Sequence, residues 1–222
     1  MIVNRLRYEI QSAFGMTALL PLPALAGLIL LEAYMYRGQS LTAGEIGSIV
    51  VRDTALLLPI CSAVACAALM SIDREENYAE MRATYQRPLW QDALVRTIIS
   101  LLIVVILLAT VWIAVPLSFH TTSGLLHTFS ALPATLYLLG LTMLINHLSG
   151  NYWAAAGTAL SYWLIEVISY GKLTGPLYLF NTFRPVANAP VNFFWLAGLG
   201  TLFLALNILL GEYRRRAKHL SV

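Results

Sequence analysis

Residues 71–97 read SIDREENYAEMRATYQRPLWQDALVRT and form the only long polar passage of an otherwise apolar chain. The protein has 14 basic and 11 acidic side chains, and nine of these 25 charges lie within this stretch. They are Asp73, Arg74, Glu75, Glu76, Glu80, Arg82, Arg87, Asp92 and Arg96. Apolar runs long enough to cross a bilayer flank the stretch on both sides. The passage therefore predicts a charged connector between two transmembrane helices.

The composition of the 222-residue chain excludes a soluble globular domain, because 59% of its residues are hydrophobic and 11% are charged. The apolar residues collect in runs of about 18 to 24, the length that a helix needs to cross roughly 30 Å of hydrocarbon. These runs leave no room for a separate soluble domain. We therefore expect an all-α polytopic membrane protein, with residues 1–222 forming a single transmembrane domain.

Six apolar runs predict six transmembrane helices, near residues 15–34, 49–72, 94–119, 125–148, 152–170 and 192–210. Only Gly150 and Asn151 separate the fourth run from the fifth, which predicts a very short turn between these two helices. Pro133 lies inside the fourth run, and Pro21 and Pro23 lie in the first, where a kink is expected.

Residues 1–14 have the pattern of an amphipathic helix. On a helical wheel one arc holds the apolar side chains Ile2, Val3, Leu6, Ile10, Ala13 and Phe14. Arg5 and Arg7 lie on the polar side of the wheel. The pattern predicts a helix lying along the membrane surface, with Arg5 and Arg7 facing anionic lipid. The alternative is a terminal segment that runs directly into the first span.

The orientation follows from the lysine and arginine residues that flank the predicted spans. One side of the membrane holds ten of them: Arg5, Arg7, Arg74, Arg82, Arg87, Arg96, Arg214, Arg215, Arg216 and Lys218. The other side holds four: Arg37, Arg52, Lys172 and Arg184. Basic residues favour the cytoplasmic side, so the pattern places both termini and the connector in the cytoplasm.

The loop over residues 171–191 reads GKLTGPLYLFNTFRPVANAPV and is too apolar for a solvated connection. It combines three prolines with five large apolar or aromatic residues, Leu177, Tyr178, Leu179, Phe180 and Phe183. Non-helical backbone at membrane depth is tolerated where protein covers it or where it lines a cavity. The sequence predicts a re-entrant or interfacial hairpin on the outer side.

Two acidic residues fall at or near hydrocarbon depth, Glu32 at the outer end of the first span and Glu166 in the outer third of the fifth. An ionisable residue within a membrane span is a functional candidate by default. Each could instead reach the outer headgroups or pair with a basic residue of the outer side, namely Arg37, Arg52 or Lys172. For Glu166 a further alternative is a role in a substrate pathway or between subunits.

The sequence carries no recognisable catalytic or metal-binding motif. The four histidines are scattered, and neither H-E-x-x-H, G-x-S-x-G nor a Walker-type P-loop occurs. The pair Glu75–Glu76 resembles the adjacent glutamates of some intramembrane proteases, but Glu80 stands where those enzymes carry an arginine. We expect no catalytic residue, no metal site and no nucleic-acid partner, with an intramembrane enzyme as the least favoured alternative.

The order of parts resembles the membrane subunit of a type-2 ABC exporter. An amphipathic N-terminal helix is followed by two spans, a charged cytoplasmic helix, four further spans with a proline-rich outer hairpin before the last, and a basic tail. The most specific part is the segment from Asp73-Arg74-Glu75-Glu76 to Pro88, which is similar to that family's acidic segment, short helix and proline ahead of span three. Asn77 and Arg96 stand where the family often has glycine and lysine.

This resemblance implies a permease that forms the substrate pathway as a homodimer or heterodimer. It implies no cofactor in this chain, since a separate ATP-binding cassette subunit would bind ATP and Mg and dock on the connector. Residues 73–88 fit a helix that ends at Pro88. Tyr78, Met81 and Tyr85 form an apolar stripe suited to a partner's groove, and a charged rim surrounds it, formed by Glu75, Glu76, Glu80 and Arg82. The alternative is a solvated helix on the headgroups.

The aromatic residues of the spans suit an amphipathic cargo such as a peptide, an antibiotic or a lipid-like molecule, although aromatic belts explain most of them. We expect the protein in the cell membrane, as a multi-pass protein of a bacterial inner membrane. A membrane scaffold or assembly subunit that transports nothing is the competing function.

Overall fold

The computed structural model describes residues 21–36, 39–71, 89–120, 122, 124–182, 184–185 and 188–220. Its α-helices are α1 (Pro21–Met35), α2 (Ala43–Ser71), α3 (Leu89–Phe119), α4 (Leu132–Ser149), α5 (Tyr152–Ser169) and α6 (Ala189–Leu220). Two 3-10 helices, Leu125–Ala131 and Gly175–Leu177, precede α4 and α6. No strand occurs within these ranges, so the all-α class is confirmed.

Among the residues that the structure describes, four helical segments are long and apolar enough to cross a membrane: Gly44–Ala67, Ala93–Phe119, Leu125–Ser149 and Ala189–Leu210. They correspond to the second, third, fourth and sixth predicted spans, and they indicate a membrane protein. The first predicted span is represented by α1, which is apolar but shorter. The spanning role of α1 and α5, the total of six spans and the cytoplasmic placement of the termini stay predictions.

The start of α2 lies six residues before the predicted boundary, because a capping box begins the helix there. The Glu45 carboxylate accepts a 2.7 Å hydrogen bond from the Thr42 amide, and the Thr42 hydroxyl accepts a 3.4 Å bond from the Glu45 amide. This reciprocal pair satisfies donors that the first turn of a helix otherwise leaves free. The short turn before α5 is confirmed: Gly150 has φ 60°, and the Asn151 side chain accepts from the Trp153 amide at 2.9 Å.

The helices pack around α4, which lies against α2, α5 and α6. One apolar cluster joins α1, α2 and α3 to α4 through residues such as Leu58, Leu107 and Leu139, all of them buried. A second cluster joins α2, α4, α5 and α6 through Ala63, Leu138, Ala159 and Leu196. Since α4 contributes to both clusters, it connects the two halves of the bundle.

Two glycines set the distance between α4 and α6. A Cβ atom at Gly140 would lie 2.6 Å from the Gly200 carbonyl oxygen, and one at Gly200 would lie 2.7 Å from the Leu136 carbonyl carbon and the Tyr137 nitrogen. These obstacles are backbone atoms, which cannot rotate away as a side-chain end can. The two helix backbones therefore touch directly, as in other membrane helix pairs built on small residues.

Gly200→Ala is expected to lower the free energy of unfolding by about 1–3 kcal/mol, because its methyl group must push α6 away from α4. The measurement is denaturant titration of the protein in mixed micelles. Gly198→Ala is the matched control on the same helix, since a Cβ there meets nothing within 4 Å. Equal effects of the two substitutions would show that the helix contact is not the cause.

Candidate functional site

Part of the polypeptide between α5 and α6 is packed into the protein. We call residues 171–182 the outer segment. Its residues Tyr178, Leu179 and Phe180 are almost completely buried, in the same cluster as Tyr137 and Leu196. The outer segment is therefore covered by protein along much of its length. That it enters the membrane from the outer side as a re-entrant hairpin stays a prediction.

Side chains of α5 and α6 hold the backbone of the outer segment. The Asn192 side-chain amide donates to the carbonyls of Pro176 at 2.7 Å and Tyr178 at 2.9 Å. The Tyr162 hydroxyl donates to the Leu177 carbonyl at 3.1 Å. These three bonds satisfy consecutive carbonyl groups that no helix or strand would satisfy.

The end of α5 supplies the turn into the outer segment. Tyr170 and Gly171 both have left-handed backbone angles, with φ of 52° and 74°. A Cβ at Gly171 would lie 2.7 Å from the Tyr178 ring, so that ring rests directly on the glycine. Burial raises the pKa of the Tyr178 phenol, and the nearby Arg184 opposes this shift. Arg184 itself lies over the Tyr170 ring, 4.1 Å from its centre.

Glu166 lies directly beneath the outer segment, on the face of α5 that is turned inward. The residue is 0% exposed, and neither carboxyl oxygen has a hydrogen-bond partner in the part of the chain that the structure describes. The Thr174 hydroxyl and the Leu179 amide lie near the carboxyl group, but neither reaches it with hydrogen-bond geometry. The Glu166 side chain therefore does not reach the protein surface in this arrangement, and it forms no ion pair with Arg52 or Lys172.

Glu32 is instead part of an ion-pair cluster between α1 and α2. Arg52 donates from Nη2 to Glu32 at 2.9 Å and from Nε to Asp53 at 2.8 Å. This confirms one of the three pairings that the sequence left open for Glu32. The cluster borders a small cavity between α1, α2 and α3, which is lined by Leu25, Ile29, Glu32, Ile49, Val50, Asp53, Thr54, Val111, Val115 and Phe119. The walls are mostly apolar, and Glu32 and Asp53 are the acidic residues among them.

Two amide side chains that the sequence reading did not single out lie buried between helices. Asn146 donates from Nδ2 to the Ala67 carbonyl at 2.8 Å and so ties α4 to the end of α2. Asn207 on α6 is 0% exposed, and neither atom of its amide has a hydrogen-bond partner among the described residues. Arg96, counted as an inner-flank charge, is only 6% exposed. In the sequence, the signal that could have identified these three residues is a polar side chain within an apolar run.

The residues assigned to ATPase coupling lie outside the described ranges. These are Glu75, Glu76, Tyr78, Glu80, Met81, Arg82 and Tyr85, and the same holds for Arg5 and Arg7 of the predicted surface helix. Within the described ranges, no three His, Cys, Asp or Glu side chains are grouped in a way that could hold a metal ion. The coupling and surface-helix roles stay predictions.

Comparisons with protein-family models, with curated proteins and with solved structures found no match. The class of protein is accordingly defined by the structure alone. It is a helical protein with several helices long and apolar enough to span a membrane, in which the irregular segment 171–182 packs beside a buried carboxyl group.

Asn192→Ala is expected to loosen the outer segment, because the carbonyls of Pro176 and Tyr178 both lose their donor. Because the Tyr178 carbonyl is buried and the bond to the Pro176 carbonyl is partly buried, losing both bonds should cost about 1–3 kcal/mol in local stability. Hydrogen exchange of peptides covering residues 171–182 measures this directly. Phe194→Ala, two residues later with a side chain 76% exposed, is the control. Unchanged protection in Asn192→Ala would contradict the assigned role.

Arg52→Gln is expected to destabilise the protein by about 1 kcal/mol, because two adjacent carboxylates lose their shared cation. Adding Glu32→Gln should recover part of this loss, since the repulsion between Glu32 and Asp53 is then removed. Denaturant titration of both single variants and the double variant gives the coupling energy. Lys172→Gln, which removes an exposed cation, should change stability by less than about 0.5 kcal/mol. If the stability changes of the two single variants add up to that of the double variant, Arg52 and Glu32 do not interact and the ion-pair cluster is contradicted.

Proposed function

We propose that the chain is the permease subunit of an ATP-driven exporter of the type-2 ABC class. Two copies, or this chain and a related permease, form the substrate pathway, and a separate ATP-binding cassette subunit hydrolyses ATP. The chain itself carries no cofactor, since ATP and Mg bind to the partner subunit. The cargo is amphipathic, and the complex lies in the cell membrane with both termini of this chain in the cytoplasm.

The observation that carries the proposal is the position of the charged connector. It joins Ser71, at the end of α2, to Leu89, at the start of α3, and these two helices pack against each other. Both contribute to the apolar cluster that includes α4. A partner that moves the connector would therefore act on two long helices of the bundle. This arrangement suits coupling to an external motor better than a passive scaffold.

The outer segment supports an exporter in a different way. It covers the outer ends of α4, α5 and α6 with apolar and aromatic side chains that are held by hydrogen bonds rather than by a continuous helix. An irregular segment of this kind can be displaced without breaking a transmembrane helix. A cargo that leaves between the helices would pass beside it.

Purification of the full chain from its own membranes in mild detergent tests the proposal. We expect a complex that contains a subunit with a Walker-type P-loop, together with ATP hydrolysis that purified cargo stimulates. Mass identification of the bound subunits is the measurement. A purified assembly that contains no ATPase would favour the scaffold function instead.

Tyr78→Glu combined with Met81→Glu is expected to abolish export while ATP hydrolysis by the partner continues, because charges replace the apolar stripe on the predicted connector helix. Transport into inside-out vesicles and phosphate release are measured on the same preparation. Ala83→Glu adds an acid on the opposite side of that helix and should keep transport within about twofold of the unchanged protein. If the double variant keeps full transport with the ATPase bound, the proposed contact is wrong.

A further inference from the structure

Glu166 combines complete burial with a lack of hydrogen-bond partners. It is 0% exposed, and both carboxyl oxygens are buried without a partner among the residues that the structure describes. The Thr174 hydroxyl oxygen, which lies near it in the outer segment, is also buried and has no partner. Two polar groups from α5 and the outer segment thus lie close together, and neither is satisfied in the packed arrangement.

The titratable groups that face Glu166 are phenols. Tyr137 approaches from α4, Tyr162 belongs to α5 itself, and Tyr178 approaches from the outer segment. The rings of Tyr137 and Tyr162 lie 5.4 Å apart, and the Tyr162 hydroxyl is engaged by the Leu177 carbonyl. None of these groups carries a positive charge.

The other helices that pack around this site contribute apolar side chains to the same cluster. From α2 these are Leu56, Ile60 and Ala63, and from α6 they are Leu196, Leu199 and Phe203. The cations of the outer loop point elsewhere: Lys172 and Arg184 are exposed, and Arg184 lies on the Tyr170 ring. No cation among the described residues therefore compensates a charge on Glu166.

An ionised carboxylate in this position would be costly, because it would have lost water without gaining a cation, and hydrogen bonds from the nearby Thr174 hydroxyl and Leu179 amide would not remove its charge. A neutral carboxylic acid removes the charge and has one donor and remaining acceptor capacity. Small shifts would then let it donate to the Thr174 hydroxyl and accept from the Leu179 amide. A proton is also the one cation that needs no cavity.

We propose that Glu166 is a proton-binding site, and that its bound proton holds the outer segment against α4, α5 and α6. On release, the O–H bond of the carboxyl group breaks, the electron pair stays on the carboxylate, and the proton passes to water. The new carboxylate then requires water of its own. The outer segment covers Glu166 and is held in place by hydrogen bonds from Asn192 and Tyr162. When this segment is displaced, water can reach the carboxylate. This inference does not rest on the proposed function, since it concerns only this chain.

Hydrogen exchange of the full chain in lipid nanodiscs over a pH series tests the proposal. If the proton is required for packing, protection of residues 171–182 falls by about tenfold for each unit of pH. The fall begins near pH 4.3, where an exposed glutamate titrates, and ends at the pH where the carboxyl group of the packed protein titrates (about 4.3 being the ordinary value). Glu166→Gln carries a neutral group of the same shape and should show no such fall. Intrinsic exchange also accelerates with pH, so the two proteins are compared at the same pH.

Glu45→Gln is the matched control, because it removes an exposed carboxylate at the first turn of α2 while its amide oxygen can still accept from Thr42. It should follow the unchanged protein at every pH. A Glu166→Gln protein that keeps the full pH response would overturn the proposal. Protection that depends on sodium or potassium at fixed pH would also overturn it, since the occupant would then be a metal cation.

Infrared spectroscopy gives a second measurement that needs no substitution at Glu166. It uses Glu32→Gln protein labelled with 13C at the glutamate carboxyl, so that the ion-pair cluster contributes no glutamate signal. We expect one protonated carboxyl C=O band at neutral pH that shifts with the label and disappears as the outer segment loses protection. Carboxylate bands alone at neutral pH would overturn the proposal, even if Glu166→Gln fails to fold.

Discussion

The direct contact between α4 and α6 at Gly140 and Gly200 is the constraint on which the rest of the bundle depends. Lipid tails are as apolar as leucine side chains, so helices in a membrane gain little from hiding apolar surface from one another. They gain instead from close packing, and two facing glycines allow the closest approach. Since α4 also packs on α2 and α5, the position of both apolar clusters follows from this one contact.

The outer segment obeys a second constraint, which is that buried backbone carbonyls need donors. Asn192 and Tyr162 supply donors to the carbonyls of Pro176, Leu177 and Tyr178. Trp163 of α5 donates its indole N–H to the Leu56 carbonyl of α2 at 2.7 Å, next to Ala55, whose carbonyl lacks its helical donor because Pro59 has no N–H. Side chains of α5 and α6 thus stabilise the places where regular backbone bonding fails.

The positions of the helices could be read from the sequence, because apolar runs of membrane-spanning length are a strong signal. The start of α2 could have been read as well, since Thr42 and Glu45 have the spacing of a capping box. The pairing of Trp163 with Leu56 could not, because 107 residues separate them. The burial of Glu166 was equally hidden, since it depends on the outer segment folding back over α5. The residue pattern of a sequence predicts local structure, whereas these contacts depend on tertiary packing.

The two-residue turn at Gly150 and Asn151 has a consequence for how the protein is made. A helix that contains an acidic residue inserts into the bilayer poorly when it emerges alone. Because so few residues join α5 to α4, the two helices leave the ribosome as one hairpin, and α4, which contains no acidic residue, is synthesised first. If α5 spans the membrane as its pattern predicts, its insertion is assisted by its neighbour, and lengthening this turn would separate the two events in time.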